Sequence, residues 1–183
     1  MQPARQDLPV TPGTTYRDTV RIMQPVNAYR SITSIAGAPA VFTVPAHGLD
    51  SDWPVWVRGV QSMPEANREP FQQMPHRAKR LDADSLEINQ LSATGRAPRG
   101  GELIYQLPVD LTDAAAWLSV YCGTELLFEL TAGSGLTMTA PGTLTRTMTT
   151  EQTALLNGVS LHYTFDIQYP GQTTVRYGEG AIL

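Results

Sequence analysis

Leu161-His162-Tyr163-Thr164-Phe165-Asp166-Ile167-Gln168-Tyr169 places an apolar residue at every second position and a polar one between each pair. A period of two sends successive side chains to opposite faces of an extended chain, so this stretch predicts a strand with one buried and one wet face. Pro170-Gly171 follows, suited to the centre of a type II turn because proline presets φ and glycine accepts a positive φ. Thr173, Val175 and Tyr177 resume the alternation, and 161–183 reads as a β-hairpin.

Working upstream, Ala116, Leu118, Val120 and Cys122 alternate with Trp117, Ser119 and Tyr121, and Leu126, Phe128 and Leu130 form another short run. Both predict strands. Nine threonines between Thr131 and Thr153 favour extended backbone, since a β-branched side chain is restricted in a helix. One short helix is expected where Thr149 and Gln152 make a capping-box pattern ahead of Ala154-Leu155-Leu156, ending at Asn157-Gly158. Five or six strands at this spacing predict a β-sandwich over 108–183. Residues 31–107 differ in texture. Ser31-Ile32-Thr33-Ser34-Ile35, Val41-Phe42-Thr43-Val44, Val55-Trp56-Val57-Arg58-Gly59-Val60, a hairpin around Asp82-Ala83-Asp84-Ser85, and Leu103-Ile104-Tyr105 predict a small β-barrel. Before them, Tyr16, Asp18, Val20 and Ile22 share one phase of an edge strand.

The chain has 183 residues, 42% hydrophobic and 16% charged, with 15 glycines and 14 prolines. It is too apolar for disorder and too punctuated for a helical bundle. One cysteine and three histidines exclude a disulfide framework and a thiolate zinc cluster. No apolar run is long enough to span a bilayer, and Met1 to Val10 has no apolar signal core, so neither a membrane nor a signal-directed secretory route is expected. The formal charge of −4 is uneven: residues 1–30 carry +2, 31–107 carry −1 and 108–183 carry −5, which disfavours nucleic acid as a partner of the C-terminal part.

Two resemblances follow from these motifs. Ile32-Thr33-Ser34-Ile35, Val44-Pro45-Ala46-His47-Gly48-Leu49, Trp56-Val57-Arg58-Gly59-Val60 with Met63 and Asn67, Asp82 through Ile88, and Ala93-Thr94-Gly95 with Gly100-Gly101 resemble a recurring bacteriophage module over 31–106. That module is described as like the first catalytic cysteine half-domain of ubiquitin-activating enzymes. The flanks, with the strand at 14–22, Pro108-Val109-Asp110-Leu111-Thr112-Asp113, the helix entry at Thr150 and the Tyr169-Pro170-Gly171 turn, are similar to the immunoglobulin-like N-terminal domain of phage baseplate upper proteins. Together they imply an all-β chain: an immunoglobulin-like sandwich split into 1–30 and 108–183, with a small barrel inserted at 31–107 and one short helix.

No phosphate-loop, dinucleotide or zinc-protease motif is present. Gly133-Ser134-Gly135 lacks the glycine two residues before the serine that a nucleophile elbow needs. His47 is expected to pin its loop by hydrogen bonds, His162 to be solvated, and Cys122 to be a small buried hydrophobe. Asp82, Asp84 and Glu87 lack the spacing of a calcium loop and fit an Asx-turn. Arg77, Lys79, Arg80, Arg96 and Arg99 are interspersed with acids and read as a mixed surface. No catalytic, cofactor or metal residues are therefore assigned.

The expectation is a non-enzymatic structural adaptor of a phage virion, in the tail tip, baseplate or fibre-attachment region. It would be assembled in the host cytoplasm beside other virion proteins and copies of itself in a symmetric ring. Its expected interface residues are Arg5, Leu8, Val10, Trp53, Trp56 and Arg58. Trp56 is out of phase with Val55 and Val57, so it faces outward beside Arg58 if the valines face the core, and inward if they do not. Trp53 is placed in the adjoining loop. The proline-rich leader 1–12 has too few apolar residues for a core of its own, and a neighbouring chain is expected to clamp it through Leu8, Val10 and Arg5. Deleting it should then leave the melting temperature nearly unchanged. The alternatives are a carbohydrate-binding module stacking sugars on Trp53 and Trp56, or a capsid decoration protein.

Overall fold

A computed structural model describes residues 3–183. The strands are β1 (Ala4–Arg5), β2 (Tyr16–Arg21), β3 (Met23–Ser31), β4 (Ser34–Ala36), β5 (Ala40–Thr43), β6 (Trp53–Arg58), β7 (His76–Arg80), β8 (Ser85–Ile88), β9 (Glu102–Pro108), β10 (Ala115–Cys122), β11 (Glu125–Ala132), β12 (Gly135–Ala140), β13 (Thr143–Met148), β14 (Leu161–Gln168) and β15 (Val175–Ala181). The single α-helix among the described residues, α1 (Thr150–Ala154), lies between β13 and β14. The protein is all-β, as the alternation and turn chemistry predict. Among the described residues no helix is long and apolar enough to cross a membrane.

The chain forms two compact units, Met1–Ile22 with Asp110–Leu183, and Met23–Val109. The boundary expected at Arg30/Ser31 is corrected to Ile22/Met23. Residues 23–31 form β3, which pairs antiparallel with β9. Pro25 and a register irregularity between Met23 and Asn27 hide that strand from a period-two reading.

In the first unit the strand order is β1-β15-β14-β10-β11-β12-β13-β2. The predicted alternation is clearest in β10 and β14, with Leu118, Val120, Tyr163, Phe165 and Ile167 buried on their core phase. The sheet turns over on itself between β11 and β12, whose parallel pairing lasts only from Thr131↔Gly135 to Ala132↔Leu136. Gly133-Ser134-Gly135 makes that corner, with Thr131 and Ser134 exchanging backbone hydrogen bonds of 2.8 Å. Gly135 has φ +87°, and a Cβ there would lie 2.6 Å from Leu130 Cδ2. The serine motif is thus a sandwich corner. α1 starts as predicted: Thr149 Oγ1 accepts from the Gln152 N–H at 3.2 Å while Gln152 Oε1 accepts from the Thr149 N–H at 2.9 Å.

The leader is part of this sheet. β1 pairs in parallel with β15, Leu8 bridges to Ile182, and the N–H groups of Gln6, Leu8 and Val10 donate to the carbonyls of Glu179, Ala181 and Leu183. Leu8 is 0% and Val10 4% exposed. They are core residues of their own unit, which corrects their assignment as anchors for a neighbouring chain. The parallel strand fits because β15 has a glycine at 180, where a Cβ would fall 2.2 Å from Gln6 O.

The sandwich core also holds a charged group. Leu144, Arg146 and Met148 share the inward phase of β13, and Arg146 is 2% exposed. Its Nε donates to Asp18 Oδ1 at 2.8 Å and its Nη2 to Oδ2, across the β13–β2 register Arg146↔Asp18. Its guanidinium lies 5.7 Å from the centroid of the Tyr163 ring, and Tyr163 Oη donates to Gln6 O at 2.7 Å. Burial and then the Asp18 carboxylate push the Tyr16 hydroxyl up to about 12.

The second unit has strand order β3-β9-β6-β7-β8-β5-β4. Its end strands β3 and β4 are adjacent in the chain, so the sheet curls round until it nearly meets itself. Phe42, Val44, Trp53, Val55, Val57, Leu86, Leu103 and Tyr105 fill the interior.

Candidate interaction surface

His47 does the structural work the sequence assigns it. The Leu49 N–H donates to Nδ1 at 3.0 Å, which leaves the proton on Nε2, directed at Asp82 O at 3.0 Å. Tyr105 Oη donates to the His47 carbonyl. The Asp84 N–H donates to Asp82 Oδ1 at 2.8 Å, closing the Asx-turn, and the Ala46 N–H donates to Asp84 Oδ1 at 2.7 Å. These two carboxylates therefore fasten loops. Among the described residues no group of three or more His, Cys, Asp and Glu is placed to hold a metal ion. In the basic cluster, Lys79 pairs with Glu87 at 3.5 Å, Arg96 with Glu65, and Arg80 Nε donates to Leu49 O at 2.8 Å. Cys122 is half-buried, with Sγ 3.4 Å from Val159 O, so it is not a fully buried hydrophobe.

The tryptophans separate. Trp53 begins β6 instead of lying in a loop; it is 1% exposed and its Nε1 donates to Gln106 O at 2.7 Å. It packs the barrel with Val55 and Val57 and is closed to any partner, which corrects its place among the interface residues. Trp56 takes the opposite phase of β6, the outward alternative, yet only 8% of it is exposed. Its ring is covered by Phe71, 5.4 Å away between centroids, and its Nε1 donates to Gln73 O at 2.8 Å. Arg58 is half-exposed and pairs with Glu102 at 3.2 Å. Arg5 is exposed, 3.9 Å from Glu179.

What covers Trp56 is the segment 68–75, which sequence reasoning passed over. The Arg68 N–H donates to Val57 O at 2.7 Å, its Nη1 donates to the carbonyls of Met74 at 2.9 Å and Pro75 at 3.1 Å, and the Glu69 N–H donates to Gln73 Oε1 at 2.9 Å. These bonds hold the loop from both ends. Phe71 sits at φ +63°, a conformation that L residues with bulky side chains rarely adopt. Phe71 is nevertheless 72% and Met74 83% exposed. Burying either side chain would return about 1.5–3 kcal/mol, so a strained loop that shows both to water is built against the local free-energy gradient.

No family model and no curated protein matches the chain. The surface is therefore read on its own chemistry.

A pH dependence follows from the second unit's histidines. His76 is 1% exposed, with Nε2 donating to Ala66 O at 2.8 Å and Nδ1 buried without a partner. Burial holds both His47 and His76 below their ordinary 6.5. A depressed histidine is neutral in the fold and takes up its proton on unfolding. The stability of Met23–Val109 is then full above pH 6.5 and falls as pH drops below it, by up to about 1.4 kcal/mol per pH unit for each imidazole until the folded group itself titrates. Hydrogen exchange followed from pH 8 to pH 5 should show protection of β5 to β9 falling ahead of β10 and β14. Equal losses in both units would contradict this account.

Proposed function

We propose that the chain is a non-enzymatic structural adaptor of a tailed-bacteriophage virion, acting in the tail tip, baseplate or fibre-attachment region through contacts with other virion proteins and with its own copies. The observation that carries this is the held, strained loop 68–75, which begins at Arg68 and shows Phe71 and Met74 to water. Aromatic side chains with arginine at their rim concentrate binding energy at protein interfaces. The motif order over 31–106 and in the flanks supports the phage setting. The rival sugar platform on Trp53 and Trp56 is disfavoured, because both indoles are covered and both ring N–H groups are taken by backbone carbonyls.

The double substitution Phe71→Ser with Met74→Ser removes the apolar display and leaves Arg68 and Trp56 in place. It should lower the melting transition only by the lost Phe71–Trp56 ring contact, about 0.5–1.5 kcal/mol, leaving the fold intact, and lower incorporation into assembled particles by roughly thirtyfold, as for the loss of one interface hot spot. Wild-type incorporation would overturn the adaptor contact proposed here.

A further inference from the structure

The wet face of the eight-stranded sheet carries a second site. Along the β14–β15 register, His162 stands opposite Ala181, Thr164 opposite Glu179, and Asp166 opposite Arg176. A cavity of about 690 Å³ opens over His162, Thr164, Arg176, Glu179 and Ala181, with Arg5 and Asp7 of the leader at its edge. Its size falls within the range of small-ligand sites.

The floor is built of small groups, Thr164, Gly180 and Ala181. One wall is the His162 imidazole, held flat against Tyr121 with centroids 5.2 Å apart and planes 14° from parallel. The rim alternates in charge. Arg176 binds Asp166 through Nε at 3.0 Å and Nη2 at 3.2 Å, which occupies two of the five donors of a guanidinium whose side chain is 46% exposed. Glu179 lies 3.9 Å from Arg5 Nε, beyond hydrogen-bond distance, so donor and acceptor face the cavity side by side.

This pattern selects a ligand class. The lining sets two guanidinium groups, Arg5 and Arg176, against two carboxylates, Asp7 and Glu179, so it carries no net positive charge for a phosphate polymer. Its one large ring, Tyr163, is 2% exposed and packs in the sandwich core, which leaves no apolar floor for a lipid or an apolar peptide. Hydroxyl groups donate and accept, and a carboxylate beside a guanidinium group satisfies both roles at once. A flat ring wall suits the C–H face of a pyranose. We propose that this groove binds a short neutral saccharide. The proposal is independent of the adaptor contact at 68–75.

The test is a titration of the full ¹⁵N-labelled chain with maltose, lactose and N,N′-diacetylchitobiose, with sialyllactose as the anionic comparison. At least one neutral disaccharide should shift the amide resonances of Thr164, Glu179 and Ala181 and the His162 ring signals, with millimolar affinity. Glu179→Ala and Thr164→Val, each with an unchanged folded spectrum, should weaken binding, the first by roughly tenfold as expected for a lost charge-assisted hydrogen bond. The proposal is overturned if no neutral disaccharide shifts these residues, if sialyllactose alone does so, or if the shifts fall on Trp56 and Phe71. Because no particle is used, failure here leaves the incorporation experiment standing, and the reverse also holds.

Discussion

A chain lacking residues 1–12 is expected to melt at least about ten degrees lower in its sandwich transition. The deletion removes Leu8 and Val10, both buried, together with the parallel backbone bonds to β15 and the carbonyl that Tyr163 Oη uses. Loss of two core aliphatic side chains costs about 3 kcal/mol or more, and in a unit of this size each kcal/mol moves the transition by about 4–8 °C. Gly180→Val isolates the cause. Its backbone there is not left-handed, so a side chain adds no φ strain; it only occupies the space of Gln6 O and should reproduce most of the loss. Differential scanning calorimetry of the three proteins decides the matter, and an unshifted transition in the deletion would return the leader to the role of a loose arm.

The second large effect is expected at Asp18. Asp18→Ala leaves the Arg146 guanidinium without its counter-charge in the sandwich core, a change that typically costs about 3–5 kcal/mol. Against a domain stability of about 5–15 kcal/mol, the unit would stand near its unfolding threshold. Asp18→Leu combined with Arg146→Met removes both charges and keeps volume, and it should regain most of the loss in denaturant titrations. If the double variant were as unstable as Asp18→Ala, lost packing would be the cause and the ion pair would carry no weight.

The extent to which this architecture is legible in the sequence depends on how local each signal is. The hairpin of β14 and β15, the capped helix and the Asx-turn depend on neighbours within a few residues, and the alternation, Thr149/Gln152 and Asp82/Asp84 announce them. The Asp18–Arg146 pair was half visible: Asp18 stands in phase with Val20 and Ile22, and Arg146 with Leu144 and Met148, so two opposite charges both point inward. Their pairing is set by a register between strands far apart in the chain, which no local pattern encodes. The leader misled because its composition is that of a loose segment. The cue lay elsewhere, in Gly180, a glycine inside a strand where another backbone comes close. For Phe71 the backbone angle is a product of the Arg68 and Gln73 bonds and has no signature in Glu69-Pro70-Phe71-Gln72.

The first and last strands of the Met23–Val109 unit pair with each other, Met23 opposite Pro108. Its two ends therefore leave side by side, about one strand spacing apart, near 4.8 Å. Any antiparallel hairpin in an unrelated protein offers two strand ends at that spacing. A gene segment coding for such a unit can be moved by recombination at two points without remodelling the recipient, since the recipient meets it as a tight turn. Inheritance of the barrel and inheritance of the sandwich are thereby separable, and each can carry its own history of partners.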